Sequence, residues 1–354
     1  MAGRGAVKPQ GGDSSSEQMV DPAVKPPARP EAVRAPATGD PRHCGAARPI
    51  FQADWWLAAA CPEAWGVVTN TQNGRVRGWL PYAVYRRDGF SWCGLPPLTR
   101  LAFPLLDLDA GKPETVGRAR FHVESDLIRQ LPMASVHEFV LPPDHGNALA
   151  WQVLGFDARI QHTFRIPPGT STSTMWEQLN SKTRNLIRRA QEALQPRELD
   201  GATFASFYRT NLAGSISPSE AETVARLAEA SISHGQGRAI AVFDAGGQSH
   251  AAALFVWDSE DYYYFLSTRD VDQAALGAVD LLVWLGMTDA MARGLRFDFD
   301  GVSSASRLRF LQSFGGGLAN RIVVTRRSLA YEGRLLLRRW RHHFSRRVDR
   351  GVFP

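Results

Sequence analysis

Near the end of a chain of 354 residues, positions 297–316 read FDFDGVSSASRLRFLQSFGG. Asp298 and Asp300 alternate there with Phe297 and Phe299. In an extended strand this period sends both carboxylates to one face and both rings to the other. A carboxylate facing a cleft can bind an amine or hydroxyl and take its proton as it attacks, which is general-base chemistry. The plainer reading pairs the two aspartates with Arg307 or Arg309, since a buried carboxylate needs a partner. Arg309 is also a candidate contact for an acceptor. Phe314 and Gly315 follow, and glycine lets the backbone approach a ligand or take positive φ. They read as a turn after a short helix starting near Ser304, a turn that also walls the site.

Two further groups carry chemistry. Trp176, Leu179, Leu186, Ile187, Ala190 and Leu194 recur at helical spacing, while Lys182, Arg184, Arg188 and Arg189 lie on the other face. Such a charge run is first of all a solvated face, and second a set of forked contacts to phosphate or to an acidic acceptor. Upstream of the aspartates, Tyr264 and Ser267 belong to a strand, YYYFLSTRD, and are candidates to face a reacting group. Arg269 and the stretch from Gln273 through Gly277 to Ala278 lead into a helix, whose first N–H groups can hold phosphate. Trp55 and Trp56 read as core.

The elements that must position these groups are legible in outline. WGVVTN, VRGWLPYAVYRR and FSWCG are strands joined at Asn73-Gly74 and Asp88-Gly89, strong hairpin signals. A short helix precedes them at 54–61. Beyond them lie a helix around 122–130 and strands near 136–141 and 158–166. Helices follow at 202–213 and 219–234, the second with Ser219-Glu220-Ala221-Glu222 read as its capping box. RAIAVFDA, HAAALFVW and YYYFLSTRD form a second meander, then a helix runs from Leu276 to Arg293 and gives way to LRFDFDG. The order is β-β-β-α-β.

This order, with its motifs, resembles the GNAT acyltransferases, and most of all the FemAB-like branch and its BioF2-like (CelD-type) acetyltransferase group. The likeness is carried by WWLAAACPEAWGVV with LPYAVYRRDGFSWCGLPPLT, by WEQLNSKTRNLIRRAQEA, and by GAVDLLVWLGMTDAMARGLRFDFDG followed by RFLQSFGG. It spans about residues 50–325. It implies an α/β (α+β) fold of two fused GNAT-like halves, with mixed twisted sheets flanked by helices. The expected organisation is a disordered Pro/Ala-rich tail at 1–47, a first half at 48–165, a second at 166–325, and a basic C-terminal helix at 326–354. It implies acyl transfer, with acetyl-CoA as donor and an amine or hydroxyl of a sugar or cell-envelope or exopolysaccharide precursor as acceptor. On that reading Asp298 and Asp300 are catalytic. Ser267, Arg269, Gln273, Gly277 and Ala278 hold the donor. Lys182, Arg184, Tyr264, Arg309, Phe314 and Gly315 hold the acceptor. The alternatives are an aminoacyl-tRNA-dependent, FemX-like transferase and a non-catalytic GNAT-like protein. Two departures stand out: Leu311 occupies the place of a lysine common in relatives, and the 269–277 loop is poor in glycine.

Composition bounds the rest. The net charge of +6 is concentrated between Arg321 and Arg350, where ten arginines face only Glu332 and Asp349. In that segment Leu336, Trp340 and Phe344 share a stripe, which reads as a helix docking on the last domain and second as peripheral contact with an anionic membrane. Nucleic acid is not the expected partner. Nine histidines and three cysteines show no metal-ligand spacing, so no metal is expected. Without an apolar run near the N-terminus or an apolar stretch of membrane-spanning length, the expected location is the cytoplasm, at most touching the inner face of the membrane.

Overall fold

The computed structural model describes residues 48–270 and 275–337, together with the backbone of 31–32. The expectation of disorder for 1–47 lies outside the described residues except at β1 (Glu31–Ala32), an edge strand paired with Arg86 and Tyr85. The rest of the first half comprises α1 (Asp54–Ala60), β2 (Trp65–Gln72), β3 (Arg75–Arg87), β4 (Phe90–Gly94), β5 (Leu105–Leu106), α2 (Pro113–Arg129), β6 (Val136–Leu141), α3 (Leu149–Val153) and β7 (Asp157–Ile166). The second meander follows α4 (Thr172–Gln178), α5 (Ser181–Ala193), β8 (Gln195–Leu199), α6 (Gly201–Asn211) and α7 (Pro218–Ser233). It consists of β9 (Gly237–Phe243), β10 (Ser249–Trp257) and β11 (Asp261–Arg269). Then come α8 (Ala278–Ala292), β12 (Arg296–Asp298), α9 (Ala305–Gln312), β13 (Gly317–Arg327) and a helix α10 over 329–337.

Local chemistry sets many boundaries. Asn73, Gly74, Asp88 and Gly89 all take positive φ, so both early hairpins turn where the Asn-Gly and Asp-Gly pairs stand. The long amphipathic run divides: Asn180 accepts from the Lys182 N–H, caps α5 and separates it from α4. The cap of α7 is Ser217, which accepts from the Glu220 N–H with Pro218 behind it; Ser219 is already inside the helix.

The strands form one mixed sheet in the order β1-β3-β4-β6-β13-β7-β12-β11-β10-β9-β8, with β2 and β5 on β3. Most neighbours are antiparallel. Two junctions are parallel, β4 on β6 and β11 on β12, each after a meander and a helix. β13, from the second half, inserts between β6 and β7 of the first, and β7 in turn pairs with β12, so the two halves share one sheet. Around β9–β12, one apolar core includes Met175, Ile187, Leu282, Met287 and Leu311. The other includes Phe51, Trp56, Phe204, Leu227 and Phe265. A third core under β3, β4 and β6 is built with α2 and α3.

α10 begins by docking, on the first half rather than the last: Tyr331 meets Phe90 and Trp92 edge-on, and Arg334 donates to the Asp88 carbonyl at 2.7 Å. The expected tail stripe beyond Leu337 lies outside the described residues. Among the described residues no helix is long and apolar enough to cross a membrane.

Candidate active site

The parallel pairing of β11 with β12 ends at Tyr263 and Asp298, and beyond that point the strands separate. Between Leu254 and Phe255 the β10–β11 register slips by one residue, leaving Phe265 as a bulge. A bulge bends its strand and takes backbone groups out of the ladder. Here it faces the opening. The cavity there has a volume of about 450 Å³. Tyr264 to Ser267 form one wall and Asp300 to Ser303 another, with Tyr208 from α6. The far wall is the sheet itself: Glu138 and Val140 of β6, Arg321 and Val323 of β13, Arg159 and Gln161 of β7. Register explains this wall, because Arg159 lies opposite Val323 and Val323 opposite Val140, so side chains two residues along share the face.

Beneath the cavity lies a buried ionic network. Asp298 is fully buried and accepts from Thr163 Oγ1 at 2.6 Å, Arg165 Nε at 2.7 Å, Arg321 at 3.0 Å and the Asp300 N–H at 2.8 Å. Burial alone would push its carboxyl up; Arg321 and Arg165, with the two hydrogen bonds, outweigh that and hold it below the usual carboxylate range. Asp300 lies at the cavity wall with φ +61°, accepting from Arg100 Nε at 2.5 Å and from Arg321 at 3.2 Å. The partners of the two aspartates are therefore Arg100, Arg165 and Arg321, not the sequence-expected Arg307 or Arg309.

Arg100 is the residue the sequence gives least notice of. It comes from the first half, donates to Asp300 and to the Phe265 carbonyl at 3.1 Å, and covers the Phe265 ring. Leu98, two residues before it, holds φ +57°. A bulky residue in that region is strained and persists only where its surroundings fix it. Trp56 helps fix it, donating from Nε1 to Thr99 Oγ1 at 3.1 Å and packing on Phe265.

The other expected site residues divide. Tyr264 and Ser267 line the cavity. Burial raises the Tyr264 hydroxyl and, with help from the Glu220 carboxylate, the Tyr208 hydroxyl. Phe314 is core, and Gly315 is the turn: at φ +76° a Cβ there would lie 2.6 Å from that of Gln178. Arg309 is exposed on α9, outside the cavity. Arg184 caps the end of α4, donating to the carbonyls of Glu177 and Leu179. Lys182 is exposed on α5, where its charge opposes the burial that raises Asp280 in the first turn of α8. Gly277 takes φ +84° because α5 crosses there, and a Cβ would lie 2.5 Å from the Leu186 carbonyl. The Ala278 N–H is engaged by the Ala275 carbonyl. Arg269 ends β11 opposite Ala251. Gln273 lies outside the described residues. Among the described residues no group of three potential metal ligands gathers.

Two fused β-β-β-α-β units with a bulged strand and one open parallel junction define a class, and the comparisons agree. Residues 180–305 match the family model of the acetyltransferase (GNAT) domain. The fold is similar to that of the crystal structure of FemX, at 12% identity and a TM-score of 0.58 over 77% of this chain and 91% of that one. Weaker likenesses include the C-terminal domain of a putative lysylphosphatidylglycerol synthetase from Agrobacterium fabrum (12% identity, TM-score 0.49, 79% and 89% covered). Another is a tandem GNAT protein from the clavulanic acid pathway (10%, 0.44, 74% and 82%). No curated protein matches the sequence. The fold is similar to that of FemX, and the match of residues 180–305 to a GNAT acetyltransferase domain supports an acyltransferase.

Proposed function

We propose that the chain moves an acetyl group from acetyl-CoA to an amine or hydroxyl of a sugar or of a cell-envelope or exopolysaccharide precursor. The observation that carries this reading is the open junction between β11 and β12, with its bulge at Phe265 inside the stretch that matches the acetyltransferase domain and a 450 Å³ cavity beside it that the first half and β13 complete. The volume admits a thioester end and a monosaccharide-sized acceptor together. Binding both side by side is the main source of rate in a direct transfer.

In that transfer the acceptor nitrogen or oxygen forms a bond to the thioester carbonyl carbon, the carbon–sulfur bond breaks, and CoA leaves as a thiol after gaining a proton. A backbone N–H released by the bulge is suited to the carbonyl oxygen as negative charge develops there. Tyr208, whose hydroxyl stays protonated at neutral pH, is suited to return a proton to the departing sulfur. Glu138, at the cavity wall with only a 3.8 Å ion pair to Arg159, is the better proton acceptor. Asp300 has its two oxygens on Arg100 and Arg321, which suits it to shaping the site; Asp298, wholly enclosed, positions Asp300 through that residue's N–H.

A second reading keeps the fold and changes the donor to an aminoacyl-tRNA, favoured by the ten arginines between positions 321 and 350. Calorimetric titration of the full chain with acetyl-CoA, free CoA and deacylated tRNA separates the two. Micromolar binding of acetyl-CoA is the expected result. No heat with either CoA species, alongside tRNA binding that survives physiological salt, would overturn it in favour of the second.

A further inference from the structure

The cavity is lined by more guanidinium groups than carboxylates. Four guanidinium groups line the space, those of Arg100, Arg159, Arg307 and Arg321, against the two carboxylates of Glu138 and Asp300. Asp300 is shared by Arg100 and Arg321, and Arg321 is paired with the buried Asp298 as well. Arg321, almost wholly buried, keeps an Nε without a hydrogen-bond partner. Arg307 donates to the backbone carbonyls of Gly301 and Phe299, and among the described residues it has no carboxylate partner. Arg159 sits at the mouth, and its one ion-pair partner among the described residues, Glu138, is at 3.8 Å, beyond hydrogen-bond length. A cation held in low-dielectric surroundings without a counter-charge favours any anion that can reach it.

The wall is also ordered to guide such a group. On β7, Arg159, Gln161, Thr163 and Arg165 share one face by strand alternation, running from solvent to the buried Asp298. The polar stripe begins with the exposed Asp157 and Arg159 and ends at the Asp298 ion network, with Gln161 between them. An arriving anion would stop at Arg159, Arg100 and Arg307, since Asp298 already occupies the partners further in.

We propose that this wall is a seat for an oxyanion, a carboxylate or a phosphate, carried by the acceptor next to the hydroxyl or amine that is acylated. The inference rests on the reading of the cavity as the transfer site and narrows its substrates to acidic or phosphorylated sugars. Forked guanidinium contacts to such groups are strong and directional. Neutral sugars would leave Arg159 and Arg307 as they are, and gain nothing from them.

The test is calorimetric titration of the full chain, saturated with CoA, with glucuronate, glucose 1-phosphate and glucose. At least one charged sugar is expected to bind ten times or more tighter than glucose, and the better of the two assigns the carboxylate or the phosphate. Arg159→Gln, at an exposed position, is expected to weaken that binding about tenfold, the worth of one charge-assisted contact, while CoA affinity and melting temperature hold. Arg307→Gln is expected to weaken it similarly and Arg307→Lys to restore part of it. Glucose binding as tightly as the charged sugars, neither charged sugar binding, or indifference to both glutamine variants would overturn the proposal. Failure of CoA to bind in the first step would count against the donor alone, and the sugar titrations then run on the free protein, where the same outcomes decide.

Discussion

The two parallel junctions of the sheet began from the same plan and ended differently. At β4 and β6 the opening is closed by the protein's own chain. The Leu95 N–H reaches the Glu138 carbonyl, the Ala102 N–H reaches the Val140 carbonyl, and Gly94 lets the backbones approach so closely that a Cβ would lie 1.9 Å from the Glu138 oxygen. At β11 and β12 the opening is empty and lined by polar groups. The segment that plugs the first junction, residues 95–103, is also the one that delivers Thr99 and Arg100 to the second. The segment that closes one junction thus forms part of the wall of the other.

This contrast can be broken at several points. Asp298→Ala has the largest expected effect. It leaves the buried Arg165 and Arg321 with only Asp144 and Asp300 as partners, at a cost of about 3–5 kcal/mol, read from the urea midpoint. The same network gives an acid limit. A carboxyl held below its ordinary value of 3.8 contributes stability that is complete above that value and lost as pH falls through the lowered one. The urea midpoint is therefore expected to hold through neutrality and fall below about pH 4; a midpoint flat to pH 2 would contradict the assignment. Next, Arg100→Gln should lower transfer by roughly 10- to 100-fold, since it removes charge-assisted hydrogen bonds to Asp300 and Phe265. CoA release on acceptor addition measures it, and unchanged turnover would make the first half a bystander. Gly94→Ala is expected to cost about 1–3 kcal/mol by overpacking the closed junction, with CoA affinity unaltered, as calorimetry and thermal melts would show together. Smallest on stability is Tyr208→Phe, under about 1 kcal/mol, because no partner of its hydroxyl is needed to hold α6 in place. Its effect should appear in transfer rate alone, and an unchanged rate would take Tyr208 out of proton transfer.

What the sequence disclosed was what is local. The Asn73-Gly74 and Asp88-Gly89 turns, the second meander, α8 and the cap at Ser304 depend on neighbours a few residues away, and all stand where the pattern puts them. The break at Asn180 was hidden because the apolar spacing continues across it. Ser217 was hidden by Ser219, equally able to cap, until Pro218 is read as the first helical residue. In the site, Tyr264, Ser267 and Asp300 were legible from the strand and its alternation. Arg100 meets Asp300 across 200 residues of sequence, and Arg165 meets Asp298 across 133. Nothing in the spacing of a single chain announces such pairs, although the polar alternation Arg159, Gln161, Thr163, Arg165 was a signal that β7 has a face other than core.

The placement of β13 bears on how the protein comes to exist at all. β6 is finished early in synthesis, yet its neighbour, Ile322–Arg327, is made about 180 residues later. Until then β6 keeps one unpaired edge, the sort of template on which chains aggregate. A ribosome adding roughly 5–20 residues per second leaves that edge open for some ten seconds or more. Emergence of β13 is thus the event that closes this gap, and a chain truncated before residue 317 would leave a sheet with its centre missing rather than one finished half.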